Sequence, residues 1–496
     1  MYRILTLPIL IPMLMGLGLL IWQPKISWVR KAYVITAAVL TSAIAFLSIY
    51  MNHVGGSDLL ACILVRFSDL FSISLRLDGA GMVYGSLVAA LWPLATIYAL
   101  DYMSHEGHEN RFFAFWLITY GVVLGIAFAE DFLSLYFFYE LMTLSCLPMV
   151  MHTMDAKARF AGRKYLIYSL AGASFAFMGI VFLLQYGVGH LNFTYGGVLD
   201  PNKIVGNETA LLVAFVAAFF GFGVKAAIFP FHSWMPDLVV SPTPVSALLH
   251  AVAVVKGGVF AIVRLIYFGF GTAFLSGTWA QDVVMAATIV TIVYGSARAL
   301  RTPHLKRRLA FSTLSNLSYI LFSLTLMSPM GLAGGLTHMV YHAFTKITMY
   351  CCAGAILHAT GKEYVYEMEG LGRRMPVTFA LFTLSSFALV GVPPLGGFAG
   401  KWVISEAAVA SVDPLAYVGI GALILSTLLT ALYLLTLVAR AFFPVDGNVP
   451  ACLEDAHDPG HGTLVPMALM TVSGVVLALF SDPLIRLMQT ISRGLL

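Results

Sequence analysis

The stretch Phe219–Arg264, FFGFGVKAAIFPFHSWMPDLVVSPTPVSALLHAVAVVKGGVFAIVR, decides what kind of chain this is. It reads as two apolar helices joined by a Pro-rich turn, each with one lysine in its apolar interior, Lys225 and Lys256. Lys225 stands between FFGFGV and AAIFPF, and Lys256 between ALLHAVAVV and GGVFAIV. A lysine near a helix end snorkels to the interface, but these two are too deep to do so. An ammonium at that depth in a hydrocarbon layer is costly and marks an ion pathway by default.

The rest of the chain fits a membrane setting. Its 496 residues are 59% hydrophobic and 10% charged, against roughly 25% charged in a soluble domain. Apolar runs of membrane-spanning length predict an all-α polytopic membrane protein of about 14 transmembrane helices. These spans 1–14 lie near 4–22, 32–52, 81–100, 112–129, 131–151, 164–186, 210–231, 243–268, 282–300, 309–327, 331–358, 376–408, 415–443 and 464–488. The first, with only Arg3 before it and no cleavage site, is expected to be a retained helix rather than a signal peptide. No soluble domain fits between the spans. In the gap 53–80, FSISLRLD (71–78) alternates and predicts a short hairpin or strand at the surface. The gap 444–463 is polar, acidic and turn-rich.

The net charge of +4 does not point to nucleic acid, because the basic residues sit in short loops. Seventeen lysines and arginines fall in loops that follow odd spans, and four (Arg66, Arg76, Lys203 and Arg264) in loops that follow even ones. That bias puts the odd loops in the cytoplasm and both termini outside. The five cysteines form no CxxC pair and no metal spacing, so neither an iron–sulfur cluster nor structural zinc, and no cofactor of any kind, is expected.

Two further lysines, Lys346 and Lys401, stand inside spans, and one acid, Glu140, lies at comparable depth in LSLYFFYELMTLSCLPMV. An isolated carboxylate there takes up a proton or finds a cation, and a buried lysine is the natural partner. A static ion pair is the alternative, though it is weak stabilisation for its desolvation cost. His338, His342 and Lys346 are spaced i, i+4 and i+8, which aligns them on one helical face over roughly 12 Å. A row of titratable groups is what proton relay needs. Haem ligation by His338 or His342 is the rival, but it calls for a facing pair on a second helix, and only one pair is present. His250 is six residues before Lys256, about 240° round a continuous helix, so the two do not touch but can border one wet cavity.

Spans 7 and 12 are interrupted, by GFGVKAAIFPFHSWMP and FALVGVPPLGGFAGKWVISE, each combining a lysine with Gly and Pro. Broken helices occur where irregular backbone lines a cavity. Lys225 and Lys401 are 176 residues and five spans apart. Five is odd, so equivalent helices run in opposite directions, which predicts two inverted five-helix repeats, spans 4–8 and 9–13. The expected divisions are 1–110 (spans 1–3), 111–270 (first repeat), 271–445 (second repeat) and 446–496 (loop and span 14).

FFYELMTL, GVKAAIFPFHSWMPD and SPTPVSALLHAVAVVKGGVFAIVR resemble the antiporter-like proton-channel subunits of NADH:quinone oxidoreductase (complex I), energy-converting membrane-bound hydrogenases and multisubunit Na+/H+ (Mrp) antiporters. LDGAG before span 3, KRRLAFSTLSNLSYI, HMVYHAFTK and GVPPLGGFAGKW extend the resemblance over residues 75–410. It implies 14 helices and two half-channels. It implies that Glu140 pairs with Lys225, that Lys256 with His250 joins the half-channels, and that His338, His342 and Lys346 form a hydrated axis. Lys401 stands where related subunits carry lysine or glutamate. Length and Lys401 are most similar to the D-type member of the multisubunit antiporters and its hydrogenase equivalents.

The resulting expectation is a proton-translocating, or proton- and sodium-translocating, subunit of a multisubunit complex in a prokaryotic inner membrane. Its relay would comprise Glu140, Lys225, His250, Lys256, His338, His342, Lys346 and Lys401. Its partners would be other membrane subunits, H+ with Na+ as a second candidate, and the lipid bilayer. No redox motif is present, so electron transfer would belong to partner subunits. An autonomous secondary transporter of a solute is the alternative. It fits less well, since the charges are strung along the membrane plane instead of ringing one pocket. A quinone enzyme lacks its redox motif here, and a passive scaffold has no need of four lysines at depth.

Overall fold

The computed structural model describes residues 3–55, 60–68, 71–444, 453 and 455–494. Cys452 and part of the 444–463 loop lie outside them. Six unbroken helices come first: α1 (Leu7–Trp22), α2 (Ser27–Gly55), α3 (Gly79–Tyr102), α4 (Glu109–Phe128), α5 (Phe132–Val150) and α6 (Ala156–Tyr186). The short α7 (Pro201–Ile204) leads to α8 (Glu208–Gly223), α9 (Thr243–Ala251) and α10 (Val254–Val263), which runs on as a π-helical turn over Arg264–Phe270. After the single turn α11 (Thr272–Leu275) come α12 (Trp279–Arg301), α13 (Leu305–Thr325) and α14 (Pro329–Thr360). The pair α15 (Pro376–Val390) and α16 (Gly396–Ala410) precedes α17 (Pro414–Phe442), α18 (His461–Leu479) and α19 (Ser481–Ser492).

Among the described residues, ten helical stretches are long and apolar enough to cross a membrane. α8 and α15 are apolar but shorter. α13 and α14 fall outside that set, being long, buried and rich in polar side chains. Helices begin where a short carboxylate can take orphaned N–H groups. Asp78 accepts from Gly81 N at 2.9 Å, and Asp131 and Asp155 accept from Ser134 N and Ala158 N, both at 2.7 Å.

Two interruptions fall where the Gly/Pro pattern puts them. α8 stops at Gly223, short of the 231 expected for span 7, and residues 224–234 turn before a 3-10 segment, Met235–Val240. α15 stops at Val390, and Gly391 closes it at φ 90°, where a side chain would be strained. Phe229–Pro230 and Pro393–Pro394 are cis.

The span expected over 243–268 is present as the apolar stretch Thr243–Phe270, but a third interruption breaks its helix at Val252–Ala253. The N–H groups of both residues converge on Leu248 O, at 2.9 and 3.0 Å. The Tyr84 hydroxyl of α3 donates to the carbonyls of Val252 and Ala253 at 3.2 and 3.1 Å, the latter also accepting from Gly257 N at 2.8 Å. A hydroxyl inserted from a neighbouring helix is a recognised cause of such a break, and it is invisible in the local sequence.

The hairpin also differs from expectation. β1 (Cys62–Arg66) pairs antiparallel with β2 (Ser72–Leu75), but Ile73, Ser74 and Leu75 are buried instead of lying at the surface. Ser74 N donates to Ser134 Oγ at 2.8 Å and Ser74 Oγ to Asp131 at 2.5 Å. The polar face of the strand is therefore spent on the α4–α5 turn, not on water. Arg264, expected in an outer loop, is fully buried in the π-helical turn.

Candidate functional site

α8 ends two residues before Lys225, so this side chain leaves a turn and not a helix wall. Its Nζ lies 3.3 Å from Glu140 Oε1, donates to Tyr139 O, and sits 3.3 Å from the centroid of the Tyr139 ring. Lys225 is sealed, whereas the Glu140 side chain keeps 22% of its surface exposed. The pair thus has one desolvated and one accessible member.

A second group lies on the interior helices. Lys256 Nζ of α10 is 2.5 Å from His342 Nδ1 of α14. His338 Nε2 meets Asn316 Oδ1 of α13 at 3.3 Å, and the His338 and His342 rings are 6.2 Å apart. Lys346 Nζ donates to Ser312 Oγ at 2.7 Å and to Leu309 O at 3.3 Å. Tyr433 OH donates to the same Ser312 oxygen at 2.7 Å. His250 on α9 stacks on Tyr350 with 5.1 Å between ring centroids. His250 Nδ1 and Nε2, His338 Nδ1 and His342 Nε2 are buried with no protein partner. Buried polar groups are satisfied in the great majority of cases, so four such nitrogens around one axis form an unusual concentration.

Lys401 forms the third group and is half-buried. Its Nζ donates to Leu389 O at 3.1 Å, Val390 O at 3.0 Å and Thr427 Oγ1 at 3.0 Å, and lies 5.3 Å from the Tyr319 ring centroid. It therefore caps the C-terminus of the first half of its own broken helix, a favourable place for a cation.

The eight residues expected to act together thus fall into three groups: Glu140–Lys225, the His250, Lys256, His338, His342 and Lys346 cluster, and Lys401. No direct hydrogen bond among the described residues joins one group to the next. The groups are brought close by small residues. A Cβ on Gly258 would lie 2.6 Å from Ala226 N, and one on Gly400 would lie 2.8 Å from His338 Nδ1.

Sequence reasoning missed three charged centres. Arg264 pairs with both oxygens of Asp78 and is ringed by Phe193, Phe260 and Phe268, with 4.3, 4.8 and 4.7 Å to their centroids. Its neighbours FAIV and LIYFGF are the signal that it is buried. Asp237 bridges Lys164 at 2.8 Å and Arg307 at 2.6 Å. Lys306, expected in a loop, is buried in the first turn of α13. Among the described residues, no cluster of three or more His, Cys, Asp or Glu side chains could hold a metal ion.

The profile of the family described as NADH:quinone oxidoreductase/Mrp antiporter, transmembrane, matches residues 129–430. A protein of Rhizobium meliloti described as the probable A/B component of a K+/H+ antiporter is 30% identical, with 82% of this chain and 40% of that protein aligned. The A1 component of a Na+/H+ antiporter of Staphylococcus aureus is 27% identical over 82% of this chain and 53% of that protein. The chain spans about half the length, or less, of these curated relatives. Its fold is similar to a chain of the membrane-bound sulfane sulfur reductase, an archaeal respiratory membrane complex, with TM-score 0.86, 21% identity, and 100% and 98% of the two chains covered. It is also similar to a chain of the Mrp complex from Dietzia sp., with TM-score 0.82, 20% identity and 99% and 97% coverage.

Proposed function

The chain belongs to the NADH:quinone oxidoreductase/Mrp antiporter transmembrane family, and from that premise we propose that it is a proton-translocating subunit of a multisubunit complex in a prokaryotic inner membrane. Na+ and K+, the ions named for its relatives, are the candidate counter-ions. The observation that carries this reading is the Lys256–His342 bond, which joins α10 to α14 between two buried side chains. Such a contact transfers a proton between two groups that each change charge.

The relay runs in three stages. Opening and closing of the Glu140–Lys225 pair changes how tightly Lys225 holds its proton, since an adjacent carboxylate favours the ammonium. The proton passes by water to Lys256, then to His342, with His250, His338 and Lys346 bordering the same axis. It leaves by way of Lys401. Water is the natural partner for the four unsatisfied imidazole nitrogens.

The finer architecture of this reading has 14 spanning helices. The ten apolar stretches, with α8, α13, α14 and the α15–α16 pair, make up that number. The inverted repeats are residues 111–270 and 271–445, preceded by 1–110 and followed by 446–496. They find support in a shared device: Lys225 sits over Tyr139, two spans earlier, and Lys401 over Tyr319, again two spans earlier. Both termini lie outside, by the bias of basic loops.

The test is ion transport by the assembled complex in vesicles carrying Lys225→Ala or Glu140→Gln. Loss of coupled transport with normal assembly is expected, and normal transport in both variants overturns the mechanism. Transport by the purified single chain in liposomes would instead favour an autonomous carrier.

A further inference from the structure

Lys306 keeps only 7% of its surface accessible although Arg307 beside it is exposed. Its Nζ makes one long hydrogen bond, to Ser241 O at 3.4 Å, and no ion pair among the described residues. An ammonium has three donors, and a buried lysine kept for stability alone is normally paired. This one is not.

What surrounds Lys306 is a polar seam. Inward, Ser241 Oγ, which donates to Leu238 O at 2.7 Å, lies 3.1 Å from Ser246 Oγ of α9, and Ser246 and His250 stand at i and i+4, one above the other. His250 ends this ladder with both ring nitrogens unpartnered among the described residues. The opposite wall is α13 itself, whose Ser312 and Asn316 hold Lys346 and His338. Outward, the carboxylates of Glu106 and Glu363 act on Lys306. His304 and Arg307 flank it, with His304 Nε2 3.7 Å from Glu363 and Arg307 committed to Asp237.

We propose that Lys306 is a second proton-uptake residue, taking protons from the basic-loop end of the bundle and passing them along Ser241 and Ser246 to His250. The inference rests on the reading of the chain as a proton translocator. It adds a route to the central cluster that bypasses Glu140 and Lys225. In the step itself, an N–H bond of the Lys306 ammonium breaks as a hydroxyl or bridging water gains that proton. The hydroxyl's own proton moves on to an imidazole nitrogen of His250. Lys306 is left neutral and recovers a proton from the aqueous end, by way of Glu106 or Glu363. Water fills the intervals that no direct hydrogen bond spans.

The experiment measures proton transport by the assembled complex in inverted vesicles, with assembly followed in parallel, for Lys306→Gln, Lys306→Arg and Lys256→Ala. Lys306→Gln is expected to assemble and to lose transport by about tenfold or more, the scale of a lost acid–base group. Lys306→Arg keeps the charge but cannot be deprotonated, so it is expected to assemble and remain slow. Wild-type transport by Lys306→Gln, or recovery by Lys306→Arg, overturns the proposal, since charge and not proton exchange would then be the requirement. If Lys306→Gln does not assemble, Lys306→Arg decides in the same way. Failure of both to assemble makes Lys306 a structural residue and also overturns it. Normal transport by Lys256→Ala sinks the underlying reading instead, which separates the two failures.

Discussion

Lys256 Nζ and His342 Nδ1 stand 2.5 Å apart across the α10–α14 interface, both side chains buried. At that distance one nitrogen donates and the other accepts. When Lys256 is the cation, His342 accepts at Nδ1 and carries its proton on Nε2, the atom with no protein partner. Accepting a proton at Nδ1 and releasing one from Nε2 would carry charge through the ring. The helix break at Val252–Ala253 sets this geometry, because α10 starts afresh at Val254 and need not keep the rotation of α9.

Lys256→Ala and His342→Ala are therefore expected to act as a unit. Each alone removes most coupled proton transport, and the double variant is no slower than the worse single, as for groups serving one step. Transport rates of the assembled complex in vesicles check this. Multiplying losses would mean that the two residues serve separate steps.

Parts of this site are legible in the sequence and others are hidden, for physical reasons. The lysines are visible because apolar neighbours surround them, and the His338, His342 and Lys346 row because helical spacing is local. Glu140 is visible as the one acid at depth in the sequence, but four lysines rival one another as its partner, and only the family resemblance singles out Lys225. The Lys256–His342 bond is not visible, because it joins residues 86 positions apart on two different helices. Lys306 and Arg264 read as loop residues and are not. Positive charge near a span end looks the same in sequence whether it faces water or turns inward, and only packing by α9 or by three phenylalanine rings tells them apart.

Gly258 lets α10 lie against the Lys225 turn. A Cβ there would fall 2.6 Å from Ala226 N and 2.9 Å from Lys225 C, both backbone atoms that cannot swing away. Gly258→Ala is expected to cost about 1–3 kcal/mol, as for overpacking, and to lower transport by displacing Lys225 from Glu140. Gly257→Ala is the control. Its Cβ would meet the mobile Met142 Cε at 3.0 Å, so the drop in melting temperature of the purified complex should be smaller.

Asp78 and Arg264 tie the start of α3 to the π-helical turn. Burial alone would raise the Asp78 carboxyl, but the Arg264 charge and hydrogen bonds, with the Gly81 N–H, outweigh it and hold it below its ordinary value. A depressed carboxyl contributes stability above its unfolded-state pKa, about 3.9, and that contribution is lost as pH falls through the folded-state value. The contribution of this pair is expected to be flat between about pH 5 and 8 and to fall below about pH 4. Asp78→Asn strands a fully buried guanidinium, at about 3–5 kcal/mol, and should remove this contribution to the acid limb. Thermal unfolding across pH reads both effects.

Lys401 is held entirely by acceptors: two carbonyls at the end of α15, at 3.1 and 3.0 Å, and the Thr427 hydroxyl at 3.0 Å. The family resemblance implies lysine or glutamate at this place, yet here a carboxylate would face two carbonyl oxygens with nothing to donate. It would also place negative charge at the negative end of a helix. Glutamine keeps an N–H2 that can still reach one carbonyl. Lys401→Glu is therefore expected to lower stability by about 1–3 kcal/mol and to assemble less well than Lys401→Gln, while Lys401→Gln loses proton transport because an amide exchanges no proton. Moving the cation, in Lys401→Glu with Thr427→Lys, is expected to recover stability but not the full transport rate. Equal stability of Lys401→Glu and Lys401→Gln in the purified complex would show that the carbonyls do not define this site.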